Sequence, residues 1–230
     1  MFEDCLTKLN NYLVQPGIYF TKLIIRMLFD DTYRTIKSRA TGIYKEKGSK
    51  FIAIAIPVRD ESEVKLELEQ IRKEFYDARH HCYAYVLGFD KAAWRANDDG
   101  EPSGTAGRPI HGQIQSHDLT NTLIVVVRYF GGIKLGVSGL INAYKSSTVD
   151  ALSNAEILEK TVDEIYEVKF NYEVMNDIMK IVKDDGLNLL NTQFDLECSL
   201  TYKIRKKEAD RVNDKFRKTY GSKVIYIKSE

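Results

Sequence analysis

Cysteine is scarce in this chain: Cys5, Cys82 and Cys198 are the only three among 230 residues. They are odd in number, far apart and outside any CxxC or Cys/His ligand spacing. A disulfide framework and a structural zinc site are therefore excluded, and a reducing, cytoplasmic setting is expected. Net charge is also slight, at +1. The chain is no polycation, so any basic surface has to come from arrangement. Residues 33–152 carry 17 basic and 14 acidic side chains, a net of +3. Long hydrophobic runs are missing too. The most apolar stretch, Ile18 to Phe29, is interrupted by Lys22 and Arg26 and falls short of the ~20 residues that a membrane span needs. Nor does it read as a secretory signal, because its charges lie inside the apolar region. No internal repeat or low-complexity segment is present.

What remains is the composition of a folded protein, 43% apolar and 29% charged. Pro16-Gly17 breaks residues 1–29 into two short pieces, so residues 1–30 read as an extension with one amphipathic helix over 18–29. Residues 1–26 are expected to be dispensable, with Met27 as an alternative start. Alternating residues over 33–39 and 42–46, a Lys47-Gly48-Ser49 turn and the Ile/Ala-rich segment 51–58 predict a strand hairpin. Asp60, with Glu63 at capping-box spacing, predicts a helix through Tyr76. Strands are expected at 80–87 and 94–97, and a helix at 109–117 opened by Pro109. The run 122–130 is apolar on both faces, as a central strand is. A helix follows over 137–154. After residues 153–161 the pattern restarts as strand 161–170, helix 172–184, strands 187–194 and 196–204, helix 206–220 and strand 224–227. This β-α-β-β-α-β order is that of a ferredoxin-like unit. The expected organisation is an extension at 1–30, one domain at 31–155 and a second at 156–230, in an α+β class.

Two glycine-rich segments carry the functional signal. The first, Asp98 to Pro109, packs three glycines, two prolines, three carboxylates and Arg108 into twelve residues. It is a shaped loop with available backbone N–H groups. The second, Arg128 to Leu140, places a strand, Gly131-Gly132, Lys134 and Gly136 before a helix, an arrangement that attracts phosphate. Close packing of helix on sheet also favours glycine there. Neither segment matches GxxxxGK[ST], the dinucleotide fingerprint or GxSxG. In the strand from Arg79 to Tyr85, alternation puts Cys82, Ala84 and Val86 on one face and Arg79, His81, Tyr83 and Tyr85 on the other. That aromatic row with a basic end could stack bases; ordinary cross-strand packing is the alternative. His80, His81, Asp98, Asp99 and Glu101 are the candidates for acid–base or metal chemistry, although adjacent histidines in a strand point apart. No metal or cofactor is expected. The helix from Lys203 to Lys218, with eight basic and three acidic residues, is a solvated face or a second, weaker RNA patch.

On Ala78–Ala84, Asp98–Pro109, Val127–Gly136, Gly139-Leu140 and Ala143-Tyr144, the chain resembles the YigZ/IMPACT family. The resemblance covers Asp31 to the C-terminus. It implies a two-layer α/β first domain, of the type shared by a small-subunit ribosomal protein and domain IV of elongation factor G. It also implies a ferredoxin-like second domain resembling the last domain of that factor. Eukaryotic members are linked to control of translation initiation through a kinase activator. The RWD-type domain they carry is not read here, so that partner is not carried over. The expected function is RNA or ribosome binding in translation, without catalysis. The expected contacts are Arg79, His81, Tyr83, Arg108, Arg128, Tyr129, Gly131, Gly132, Lys134 and Gly136. The alternative is an enzyme or binder for a phosphorylated or nucleotide-like small molecule, acting at the His80/His81/Asp98/Asp99/Glu101 group.

Overall fold

The computed structural model describes residues 31–195 and 197–230. The extension read at 1–30, with its helix over 18–29 and the start at Met27, falls outside the described residues. The chain divides into two compact units, Thr32–Thr161 and Val162–Glu230, with Asp31 belonging to the second.

The first unit is built on a five-stranded sheet in which every neighbouring pair is antiparallel. Its strands are β2 (Ala40–Glu46), β3 (Ser49–Pro57), β4 (His80–Leu87), β5 (Ala93–Asn97) and β6 (Thr122–Tyr129), in the order β2-β3-β6-β4-β5. The turn between β2 and β3 is Lys47-Gly48, both at positive φ, the two-residue geometry that matches strand twist. Helix α1 (Glu61–Glu74) starts as its sequence requires. Asp60 Oδ1 accepts from the Ser62 and Glu63 N–H groups at 2.8 and 2.9 Å. The Glu63 carboxylate in turn accepts from the Arg59 N–H at 2.8 Å. Helices α2 (Gly107–Ser116) and α3 (Gly136–Ser153) complete the cover.

Period-2 alternation sorts the sheet into two apolar faces. Phe51, Ala53, Cys82, Ala84 and Val126 pack with Ile110 and Ile114 of α2 and Tyr144 of α3. On the other side Ile54, Tyr83, Tyr85 and Val125 pack with Val64, Leu68 and Ile71 of α1. Each such side chain contributes about 1.5–3 kcal/mol when fully buried. The domain is therefore three-layered, not the two layers expected. The reason is visible in β6, seven of whose eight residues are buried because helices cover both its faces. Gly42 in β2 is the point of closest approach to α3, where a Cβ would lie 2.2 Å from the Ala151 backbone nitrogen.

One element was not expected. Strand β7 (Ile157–Thr161) pairs antiparallel with β1 (Thr32–Ile36) in a separate two-stranded ribbon, from Thr32↔Thr161 to Ile36↔Ile157. The first domain thus ends at Thr161 rather than 155, and the strand expected from Tyr33 stops at Ile36. At the front, Asp31 goes with the second domain. Its carboxylate accepts from Arg205 Nε at 2.6 Å and Nη2 at 2.8 Å, and from the Lys207 N–H at 3.2 Å. The Arg205 hydrogen bond holds the Asp31 carboxyl below its ordinary range against the opposing effect of burial.

The second unit runs β8 (Asp163–Phe170), a 3-10 turn (Tyr172–Val174), α4 (Met175–Asp184), β9 (Asn188–Phe194), β10 (Cys198–Arg205), α5 (Lys206–Lys218) and β11 (Lys223–Ser229). The antiparallel order β11-β8-β10-β9 is the ferredoxin-like arrangement. Val168, Leu200 and Tyr202 pack with Ile178 of α4 and Val212 and Phe216 of α5. Much of the basic face of α5 is tied down: Arg211 and Lys215 hold Asp185, and Arg217 holds Asp214.

Candidate nucleic-acid interface

Both glycine-rich loops leave from one end of the five-stranded sheet. Register places Lys50 opposite Tyr129, and Arg128 opposite both Phe51 and His80. At the same end β5 finishes at Asn97, opposite Tyr83, and the first loop begins. The second loop follows Tyr129 and rests on the β2–β3 turn. The Gly131 N–H donates to Ser49 Oγ at 3.1 Å, and a Cβ on Gly131 would lie 1.9 Å from the Gly48 carbonyl carbon.

The three carboxylates of the first loop all bind protein groups. Asp98 Oδ1 accepts from the Ala106 and Gly107 N–H groups at 2.9 and 2.8 Å, and Oδ2 accepts from the Gly104 N–H at 2.8 Å. It caps α2 from a distance, in place of Ala106, which has no oxygen to offer. The helix consequently begins at Gly107, two residues ahead of Pro109. Burial would raise the Asp98 carboxyl, but these three N–H bonds and nearby Arg108 hold it below its ordinary value. Its contribution to stability is therefore complete above about pH 4 and is lost as pH falls through the folded value. Asp98→Asn would set an amide against at least one of those N–H donors. It is expected to cost about 1–2 kcal/mol at neutral pH, the size of a lost cap, and to flatten the acid limb of stability. Urea unfolding at pH 7 and at acid pH checks this; unchanged stability at both would refute the capping role.

Asp99 ties the loop to β4. Its Oδ2 accepts from the His81 N–H at 2.6 Å, Arg72 lies 3.7 Å from Oδ1, and its carbonyl is 2.7 Å from His80 Nδ1. A carbonyl only accepts, so His80 carries a hydrogen on Nδ1. Glu101 Oε1 takes Arg128 Nη1 at 2.5 Å and the Tyr144 hydroxyl at 2.9 Å. The Glu101 and Arg128 side chains are 4% and 7% exposed. The Arg128 guanidinium lies 5.3 Å from the Phe51 ring centre and 5.6 Å from that of Phe130. Beneath this pair, Cys82 Sγ lies 3.3 Å from the Tyr144 hydroxyl and 2.9 Å from the Asp98 carbonyl. Burial pushes the Cys82 thiol up to about 12 and the Tyr144 hydroxyl well above its ordinary value, so both stay protonated. These groups hold the two loops together.

This corrects several expectations. His81 and Tyr83 are each 7% exposed and face α1, as does Tyr85; His81 Nε2 is 3.1 Å from the Phe75 carbonyl. Neither can stack a base, because the amphipathic face of α1 already covers that side of β4. Arg128 is buried against Glu101 and is not a phosphate contact. The five candidates for acid–base chemistry do not form one group. Asp99 meets both histidines, its carbonyl at His80 and its carboxylate at the His81 N–H and 3.9 Å from His81 Nδ1. The two rings nevertheless point to opposite faces, Asp98 is held by N–H groups of the loop and α2, and Glu101 by Arg128 and Tyr144. Among the described residues, no group of three or more His, Cys, Asp or Glu is placed to hold a metal. Gly131 serves chain packing. Gly132 and Gly136, at φ of 88° and 75°, face open space.

Arg79, Arg108 and Lys134 remain exposed, and Tyr129 is half-buried with its hydroxyl donating to Asp77 at 2.8 Å. The hairpin adds three cations that sequence reasoning missed. Register aligns Lys45, Lys50 and Tyr129 across β2, β3 and β6, with Lys47 at the turn. Arg79 immediately precedes His80, at the same end. Lys45, Lys47, Lys50, Arg79 and Lys134 enter no ion pair among the described residues. The signal was present in Lys45–Lys50, a basic turn whose place beside β6 only the pairing of β3 reveals.

The fold and these loops define a two-domain α+β protein: a three-layer domain with two glycine-rich loops at one sheet end, and a ferredoxin-like domain. The Impact N-terminal domain family matches residues 47–152. IMPACT family member YvyE of Bacillus subtilis (strain 168) is 32% identical over 183 residues, spanning 80% of this chain and 84% of that protein. IMPACT family member YigZ of Escherichia coli (strain K12) is 33% identical over 156 residues, 67% of this chain and 76% of that protein. A solved structure described as that of an hypothetical protein superposes with a TM-score of 0.69 at 27% identity, over 87% of this chain and 100% of that one. The chain belongs to the IMPACT family.

Proposed function

We propose that this protein binds RNA or the ribosome and acts in control of translation, with no catalysis required, in the cytoplasm. The observation that carries the reading is the unpaired cation row Lys45, Lys50 and Arg79 beside Tyr129, extended by Lys47 and Lys134. Cations with no carboxylate partner are available to phosphate, and in the first loop the Glu101 charge is offset by buried Arg128. Among the described residues no helix is long and apolar enough to cross a membrane. The link of the family's eukaryotic members to control of translation initiation supports the translation part of this reading.

Neutralising phosphates releases counterions, and the logarithm of affinity falls with that of salt by about 0.7 per contact on single strands. Replacing Lys45, Lys50 and Arg79 together by alanine is therefore expected to reduce the salt slope by about 2 and to weaken binding at least tenfold. Filter binding of labelled RNA across a salt series checks it. An unchanged slope would overturn the assignment of this surface.

A phosphorylated small molecule is the second reading. It is favoured by Lys134 lying between Gly132 and Gly136, both open, at the start of α3. Thermal-shift measurement with inorganic phosphate and nucleotides separates the two, since one ligand that stabilises strongly favours the small molecule.

A further inference from the structure

Trp94 is the only tryptophan of the chain. It sits on β5, an edge strand of the five-stranded sheet, and 58% of it is exposed. Its indole stacks on His111 of α2, with ring centres 4.4 Å apart and planes 22° from parallel. That is the one ring contact it makes among the described residues. The stack holds the indole in one orientation, so a ligand meeting it pays little ordering entropy. Burial holds the His111 ring below its ordinary pKa, which keeps the platform neutral.

Arg108 lies three residues before His111 and therefore on the same side of α2. It is exposed, and its aliphatic stem lies against the tight turn at Gly104. Trp94 is three residues along β5 from Asn97, where the first glycine-rich loop begins, about 10 Å away at strand rise. A flat aromatic platform with a cation one helical turn off is the chemistry of single-stranded nucleic-acid binding. A protein partner would instead be expected to meet a wider apolar patch, and the neighbouring Arg108 is charged.

We infer that the Trp94–His111 stack is a base-stacking subsite for single-stranded RNA, with Arg108 holding the adjoining phosphate. The inference rests on the RNA-binding reading and extends it from Arg108, at the end of the first glycine-rich segment, to Trp94 and His111 beyond it.

The test titrates the full chain with a short oligouridylate at low salt. Trp94 emission and the anisotropy of labelled RNA are followed in parallel. Emission is expected to be quenched with the same midpoint as the anisotropy change. Trp94→Ala is expected to weaken binding about 5- to 100-fold while leaving the salt slope unchanged, because a neutral ring releases no counterions. Trp94→Phe should recover part of the loss, and Arg108→Ala should lower the slope by about 0.7. If anisotropy reports binding while emission stays constant and Trp94→Ala binds as well as the parent, the subsite is wrong and the RNA-binding reading stands. If anisotropy reports no binding at low salt, both fall together.

Discussion

Glu101→Ala is expected to destabilise the first domain by about 3–5 kcal/mol, the usual cost of stranding one member of a buried ion pair. The arginine left behind could not turn to water. Its guanidinium lies near the Phe51 and Phe130 rings, and its Nε already lacks a partner. The Tyr144 hydroxyl would lose its acceptor as well. Glu101→Gln keeps an acceptor for both donors and should cost clearly less. Urea unfolding followed by Trp94 emission isolates the effect, since the only tryptophan belongs to this domain. A loss below about 1 kcal/mol would mean that the pair is far more hydrated than its burial implies. Arg128→Ala should be as damaging, which makes it a poor probe of ligand binding.

The second large effect concerns Gly131. A methyl group there would sit 1.9 Å from the Gly48 carbonyl carbon and 2.2 Å from the Ser49 nitrogen. Those are backbone atoms of a tight turn and cannot rotate away. Gly131→Ala is expected to cost about 3 kcal/mol or more, at the upper end for overpacking, and to lift the second glycine-rich loop off the hairpin. Gly132→Ala supplies the contrast. Its Cβ would meet nothing within 4 Å, so only the φ of 88° penalises it, by about 1–2 kcal/mol. Thermal unfolding of the two variants ranks them, and equal stabilities would contradict the close approach.

Local chemistry was legible where it decided the outcome. Strand β4 runs from His80 to Leu87 as its alternation required, and Asp60 caps α1 where the spacing put a cap. The βαββαβ order emerged from hydrophobic period alone. Two things were not legible. Alternation divides β4 into two faces without saying which of them a helix will cover, so Tyr83 and Tyr85 could be read as a surface. The apolar residues of β6 pointed the other way, since a strand apolar on both sides needs two covers. Ribbon β1–β7 joins segments about 120 residues apart, and a five-residue strand such as Ile157–Thr161 carries too short a pattern to announce itself. The carboxylates of the first loop, set beside glycine and proline, were legible as turn-formers that bond nearby backbone, and Asp98 does so, but most of their partners were not. Their partners, the α2 N–H groups, Arg72, Arg128 and Tyr144, are brought to them only by the fold.

The ribbon has a consequence for how such a chain can change. The strands that open and close the first domain are paired end to end, Thr32 against Thr161. Just outside them, the Val162 N–H donates to the Asp31 carbonyl at 2.6 Å. Residues 32–161 therefore leave and return at neighbouring backbone positions, Asp31 and Val162. Ends held side by side are what domain transplantation and circular permutation require. The domain with the glycine-rich loops is closed on itself, a cassette whose two ends could be rejoined or regrafted without cutting one of its own strands.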